Sequence, residues 1–210
     1  MLNTINHPAD LIGTAISVRY SMRRFTVTDF CHQFIANHIH EGAFCIDATA
    51  GNGHDTEFLC RLAGDSGKVL AFDIQQAAVD STRCRLKKNR LDHIGRVVLD
   101  SHARISEYAG PDTVDCIMFN FGYLPGGDHE MSTQPASSLS AIKQSLICLK
   151  PGGLLSLCIY SGGDTGFDER DAILPYIKGL DPHEYLVIVS SYANRPGNPP
   201  IPAFIFKKTL

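Results

Sequence analysis

The sequence predicts an α/β fold: a Rossmann-like, doubly wound sheet of seven strands with the last strand antiparallel. Short, near-continuous apolar runs alternate with segments whose apolar residues recur at helical spacing, over most of the 210 residues. Apolar runs of this kind belong to parallel strands covered on both faces. Right-handed crossovers then place helices on both sides of the sheet. The last two apolar runs follow one another with no helix between them, so the final strand must return antiparallel.

The elements follow in order. Phe30, Phe34, Ile35 and Ile39 recur at helical spacing from Thr28, and Gly42 ends that helix. Residues 43–49 form a short strand, and Phe58, Leu59 and Leu62 mark a helix that stops at Gly64. A strand at 68–73 leads to a helix at about 76–89 with Ala78, Val79, Thr82 and Leu86 inward. Strands at 96–100 and 114–120 precede a helix at about 135–149, which carries Leu139, Ile142, Leu146 and Leu149. Pro151, Gly152 and Gly153 turn the chain into a strand at 154–160. A helix at about 167–178 and strands at 185–191 and 203–208 complete the chain. No linker divides it, so residues 28–210 read as one domain and residues 1–27 as an N-terminal extension.

Composition narrows the function classes. The chain is 44% apolar and 20% charged, with a net charge of −3, which is ordinary globular composition and argues against general coating of a polyanion. No apolar run is long enough to span a bilayer. Asn3, Asn6, His7 and Asp10 interrupt any signal-peptide block, so a cytoplasmic location is expected. The seven cysteines include no CxxC pair and no zinc spacing, so no metal site is expected and most should be buried thiols.

Chemistry should sit where the strands end, because open α/β sheets bind ligands outside the carboxyl ends of their strands. Those ends carry Asp47, Asp73, Asp100, Asn120 and Tyr160. After Asp47 the chain reads Ala-Thr-Ala-Gly51-Asn52-Gly53-His54-Asp55-Thr56. Gly51 and Gly53 permit a tight turn and close approach of backbone to a ligand. The helix behind them points free N–H groups at the cleft. Asp73 lies 20 residues past Gly53, the spacing of a ribose-binding acid. Its hydrogen bonds to ribose hydroxyls are each worth roughly 1.5–3 kcal/mol.

Charge selects the cofactor. A dinucleotide fingerprint needs Gly or Ala where Thr56 stands, and Asp47 and Asp55 put negative charge where a pyrophosphate would lie. S-adenosylmethionine has no phosphate, and its sulfonium is cationic, so it suits an acidic glycine turn. Ser101 and His102, at the third strand end, are placed over the adenine, and Gln75 is in reach of the adenosine. An NAD-dependent oxidoreductase is the alternative of similar topology, and a non-catalytic RNA-binding module is a second.

The fourth strand end reads Asn120-Phe121-Gly122-Tyr123-Leu124-Pro125-Gly126-Gly127-Asp128, similar to the Asn-Pro-Pro-Tyr motif of methyltransferases acting on amino nitrogens. An Asn carbonyl accepts the N–H of an amine and aims its lone pair at the methyl donor. Tyr123 offers a face on which a base can stack. Phe121 and Gly122 stand where that motif has prolines. Asp128 and His129 are both available to take the amine proton, and the sequence does not choose between them.

Taken together, DATAGNGHDT, FDIQ, FNFGYLPGGDH and YSGGDTGF resemble the YtqB/MnmM family of class I methyltransferases, over roughly residues 28–208. The resemblance implies the class I methyltransferase fold. It also implies methyl transfer from S-adenosylmethionine to the 5-aminomethyl group of wobble 2-thiouridine in tRNA. The partner would be the tRNA anticodon loop, with an rRNA base or a small amine as the alternative substrate, and the resemblance is compatible with a homodimer. Position by position, Asn52, Gly53 and Asp55 would hold the methionine end, with Asp47, Gly51 and Thr56 in the same turn. Asp73 and Gln75 would hold the ribose and adenine edge, Ser101 or His102 the adenine, and Asn120 and Tyr123 the target amine and its base. The loops 125–133, 161–168 and 193–200 would shape the RNA entrance. Arg83, Arg85, Lys87, Lys88 and Arg90 on one helix read either as a phosphate track or as a solvated face near the C-terminal end of the helix dipole.

Overall fold

The computed structural model describes residues 25–121, 135–160 and 163–209. Five α-helices and seven strands alternate as β1 (Phe44–Asp47), α2 (His54–Ala63), β2 (Lys68–Asp73), α3 (Gln76–Lys88), β3 (Gly95–Leu99), β4 (Val114–Phe121), α4 (Pro135–Cys148), β5 (Leu149–Ile159), α5 (Gly163–Lys178), β6 (Tyr185–Val189) and β7 (Ile201–Lys207), preceded by α1 (Val27–Ala36). A 3-10 helix, His102–Glu107, follows β3. The sheet order is β3-β2-β1-β4-β5-β7-β6. Strands β1 to β5 pair in parallel, and β7 runs antiparallel to both β5 and β6. The seven-stranded doubly wound sheet with an antiparallel last strand is therefore the observed fold.

Alternation along each strand sends residues to two cores. Ile46, Phe72, Ile117 and Phe119 face the side covered by α4, α5 and the 3-10 helix. Cys45, Val69, Ala71, Cys116 and Met118 face the side covered by α1, α2 and α3. All seven cysteines are free and six are buried; Cys84 is exposed.

Several strand ends shift by one or two residues from expectation, and α1, read as running on to Gly42, ends at Ala36; three further differences have a local cause. Strand β5 starts at Leu149, because Val114 pairs with Leu149 and Cys116 with Leu154, so Pro151, Gly152 and Gly153 form an irregularity inside the strand. Helix α5 takes in residues 163–166, where Gly163 and Gly166 read as loop signals. Helix α1 starts at Val27, behind a capping box in which Thr26 accepts from the Asp29 amide and Asp29 accepts from the Thr26 amide. Val27, Cys31 and Ile35 bury one face of α1, and the Phe34 ring stacks on Phe204 of β7 at 3.8 Å.

The order reverses between β1 and β4, which opens a crevice at their carboxyl ends. Register places the strand ends side by side: Asp47 pairs with Met118, Asp73 with Leu99, and Asn120 with Cys158. No described helix is long and apolar enough to cross a membrane.

Candidate active site

The glycine turn is tied down at both ends. The Gly51 amide donates to Asp73 Oδ2 at 2.9 Å and the Gln75 amide to Asp73 Oδ1 at 2.9 Å. Thr82 Oγ1 donates to the Gly51 carbonyl at 3.0 Å. Gly53 has φ +76°, and a Cβ there would come within 2.9 Å of the Thr82 backbone. Only glycine satisfies both the left-handed conformation and the close approach. Gly53 is the N-cap of α2 and, having no side chain, offers no side-chain cap to its N-terminal amides.

Asp47 and Thr56 shape this turn from beneath. Asp47 is fully buried, accepting from Thr56 Oγ1 at 2.5 Å and from the Thr49 amide at 3.0 Å. Burial, then the charge of Asp55, push its pKa up to about 7. The sequence reading has Asp47 place negative charge in the turn; in the structure its carboxyl is buried beneath the turn. Its carboxyl holds the first turn of α2 onto β1, and Thr56, also fully buried, is its partner rather than a cleft residue. Asn52 is exposed; its side chain accepts from Ser81 at 3.3 Å and its carbonyl from Arg85 at 2.7 Å.

At the third strand end, Ser101 caps the 3-10 helix by accepting from the Ala103 amide, so its hydroxyl has a structural task. His102 is buried and Nδ1 lies 3.2 Å from the Ala48 carbonyl. A carbonyl only accepts, so Nδ1 carries the proton and Nε2 is left as an acceptor. Nε2 is buried with no partner among the described residues. Burial holds the imidazole pKa below its usual value, which keeps this acceptor available.

The fourth strand end centres on Asn120, whose amide N–H donates to Thr49 Oγ1 at 2.8 Å. Its Nδ2 donates to Asp55 Oδ2 at 3.3 Å. Asp55 Oδ1 lies 2.7 Å from His32 Nε2, and the His32 ring stacks on Phe58 at 3.7 Å. A carboxylate only accepts, which fixes the Asn120 amide with Nδ2 toward Asp55 and Oδ1 away from it. That Oδ1 is buried and has no partner among the described residues. His32 was missed at the sequence level: it lies on α1, ahead of the alternating pattern, and nothing in its spacing marks it. Tyr123, Asp128 and His129 lie outside the described residues, as does the loop 125–133.

Arg90 falls beyond the Asn89 C-cap of α3, so four of the five basic residues lie on the helix, and two of those four are structural. Arg85 binds Glu57 Oε2 at 3.2 Å, His54 Nε2 at 2.9 Å and the Asn52 carbonyl, bracing the glycine turn. Arg83 donates to the Val97 carbonyl at 3.1 Å.

The comparisons agree with this geometry. The sequence model of the family described as "Putative rRNA methylase" matches residues 69–206. A tRNA (mnm(5)s(2)U34)-methyltransferase, chloroplastic, from Arabidopsis thaliana is 32% identical over 92% of this chain and 73% of that protein. A crystal structure described as a "putative rRNA-methylase" from Clostridium thermocellum superimposes with a TM-score of 0.84 at 36% identity, covering 88% of this chain and 98% of the other. A Streptococcus mutans "putative methyltransferase" in complex with SAH gives a TM-score of 0.78 at 35% identity, over 88% and 99% of the two chains. Fold and site thus define a class I methyltransferase that uses S-adenosylmethionine. Within that class, the chain belongs to the rRNA methylase family.

The residues present fit S-adenosylmethionine. The uncapped start of α2 suits its carboxylate. Asp73 has lone pairs left for ribose hydroxyls after accepting two amides. His102 Nε2 is a buried acceptor for an adenine amino group.

Two outcomes test this construction. Gly53→Ala should cost about 1–3 kcal/mol of stability through forced backbone strain, read as a lower midpoint in denaturant together with weakened cofactor binding. Asp47 holds its proton more tightly folded than unfolded, so its burial makes stability fall as pH rises from about 4 to about 7. Asp47→Asn removes that contribution. Thermal unfolding across pH 4–8 should show a shallower decline for the variant, and parallel curves would refute the assignment.

Proposed function

We propose that the protein transfers a methyl group from S-adenosylmethionine to the aminomethyl nitrogen of wobble 5-aminomethyl-2-thiouridine in tRNA, with the anticodon loop as its docking partner and the cytoplasm as its place of action. The observation that carries this is Asn120 Oδ1: a buried acceptor, oriented by Asp55, without a partner among the described residues. Such an oxygen accepts an N–H from a neutral amine and leaves the nitrogen lone pair free. The Arabidopsis relative is named for mnm(5)s(2)U34, the methylated form of that wobble nucleoside, and is described as chloroplastic.

Bound S-adenosylmethionine supplies an activated methyl group, so no metal or covalent intermediate is needed. The chain's own task is to receive the amine uncharged. For an amine with a lysine-like pKa of about 10.4, neutrality at pH 7 costs about 4.6 kcal/mol. An aminomethyl group on a pyrimidine is more acidic and costs less. The family description, which names rRNA, supports a second reading in which Asn120 binds the amino group of an rRNA base.

Incubation of tRNA carrying 5-aminomethyl-2-thiouridine with the protein and S-adenosylmethionine, followed by nucleoside mass spectrometry, should show one added methyl on the wobble uridine. Methylation of rRNA alone would favour the second reading. Asn120→Ala should keep cofactor binding while turnover falls on the order of a hundredfold. Unchanged turnover would remove Asn120 from the reaction.

A further inference from the structure

His32 is the one residue of the Asn120 network that comes from outside the alternating strand–helix core. Helix α1 packs on β5 and β7, on the opposite side of β4 in sheet order from the glycine turn. From there His32 reaches Asp55 on α2 at 2.7 Å, and only 15% of its side chain is exposed. Its ring lies flat on Phe58, with an interplanar angle of 5°. The contact therefore fixes both the position and the plane of the imidazole. Because Asp55 accepts, Nε2 carries the proton in this contact.

We propose that His32 is a positioning residue for methyl transfer. It holds the Asp55 carboxylate so that Asp55 holds the Asn120 carboxamide, with Oδ1 turned toward the acceptor amine. This rests on the amine-methylation reading given above. A carboxylate held at one oxygen only can rotate about its last bond. Held at both, it presents a fixed lone pair to Asn120 Nδ2. An amide that lost this partner could flip and offer Nδ2 to the amine. A donor facing the amine nitrogen would tie up the lone pair that must attack. His32 contacts Asp55 and so acts through it.

The role can be separated from a merely structural one by reach. Gln at position 32 places an amide N–H close to where Nε2 lies, whereas Asn places it too short to contact Asp55. Under saturating cofactor, His32→Ala and His32→Asn should lower kcat between about tenfold and a hundredfold, the cost expected for a misplaced reacting group. KM for tRNA and the affinity for S-adenosylhomocysteine should stay within about twofold, a change of about 0.4 kcal/mol. His32→Gln should recover most of the lost kcat. A second readout needs no turnover. In the cofactor-free protein, the Asn120 side-chain amide, assigned by its absence in Asn120→Ala, should give a sharp, exchange-protected NMR pair. That pair should persist in His32→Gln and broaden or shift in His32→Asn.

Wild-type turnover in His32→Asn, an unaltered Asn120 amide in that variant, or loss of cofactor affinity in parallel with kcat would each overturn the proposal. So would a His32→Gln variant as impaired as His32→Asn, since His32 would then act by carrying a proton. If the wild-type protein leaves the wobble amine unmethylated while the amide responds as described, the positioning network stands and the amine reading falls.

Discussion

Asp55 has two carboxylate oxygens, and each is held by a different part of the chain. His32 on α1 takes one and Asn120 at the end of β4 takes the other. Asp55 itself sits in the first turn of α2, where the helix dipole favours a negative charge. Three segments distant in sequence are thereby registered against one another at the crevice between β1 and β4. The glycine turn fixes where Asp55 starts, because Gly53 leaves no room for error against Thr82. The position of the Asn120 carboxamide, proposed above to bind the amine, is thus inherited from backbone geometry in the turn.

Concentrating acids at one sheet edge has an electrostatic consequence. Asp47, Asp55 and Asp73 lie close enough that the charges of Asp55 and Asp73 both raise the pKa of Asp47. The cluster is relieved in different ways at its members. Asp73 accepts two backbone amides. Asp47, the most deeply buried, titrates near neutrality while Thr49 and Thr56 donate to it. Asp100, further along the edge, is held below the usual carboxylate range, chiefly by the Tyr108 hydroxyl, with the Arg104 guanidinium beside it. Among the described residues, Asp47, Asp55 and Asp73, where a cationic ligand is expected, have no lysine or arginine paired with them, unlike Asp100.

Much of the fold was legible because period and punctuation carry it. Strand β2 ends at Asp73 as read, and Gly64 ends α2, since apolar runs and glycines act locally. The strand ends were legible for the same reason. What each strand-end residue does was less so. Asp47 and Asp73 look alike in sequence, both closing an apolar run, yet one is buried under the turn and the other clamps its backbone. That difference is made by Thr49, Thr56 and the amides of Gly51 and Gln75, which only the folded chain brings to them. His32 was illegible for a related reason. Its partner lies 23 residues away, and its own helix carries an ordinary core pattern.

On the proposed role of Asn120, an amide at position 120 suits what the nitrogen must do. A carboxylate in direct contact would bind an ammonium ion well and stabilise its proton, the opposite of what attack requires. An amide oxygen offers an acceptor without a formal charge, so it favours the protonated amine far less. Yet positive charge grows on the nitrogen as its new bond to carbon forms, and a negative charge nearby stabilises that growth. Placing Asp55 one hydrogen bond behind Asn120 meets both demands. In that role its charge would act through space on the developing cation, while the intervening amide would keep the carboxylate from taking hold of the ground-state proton.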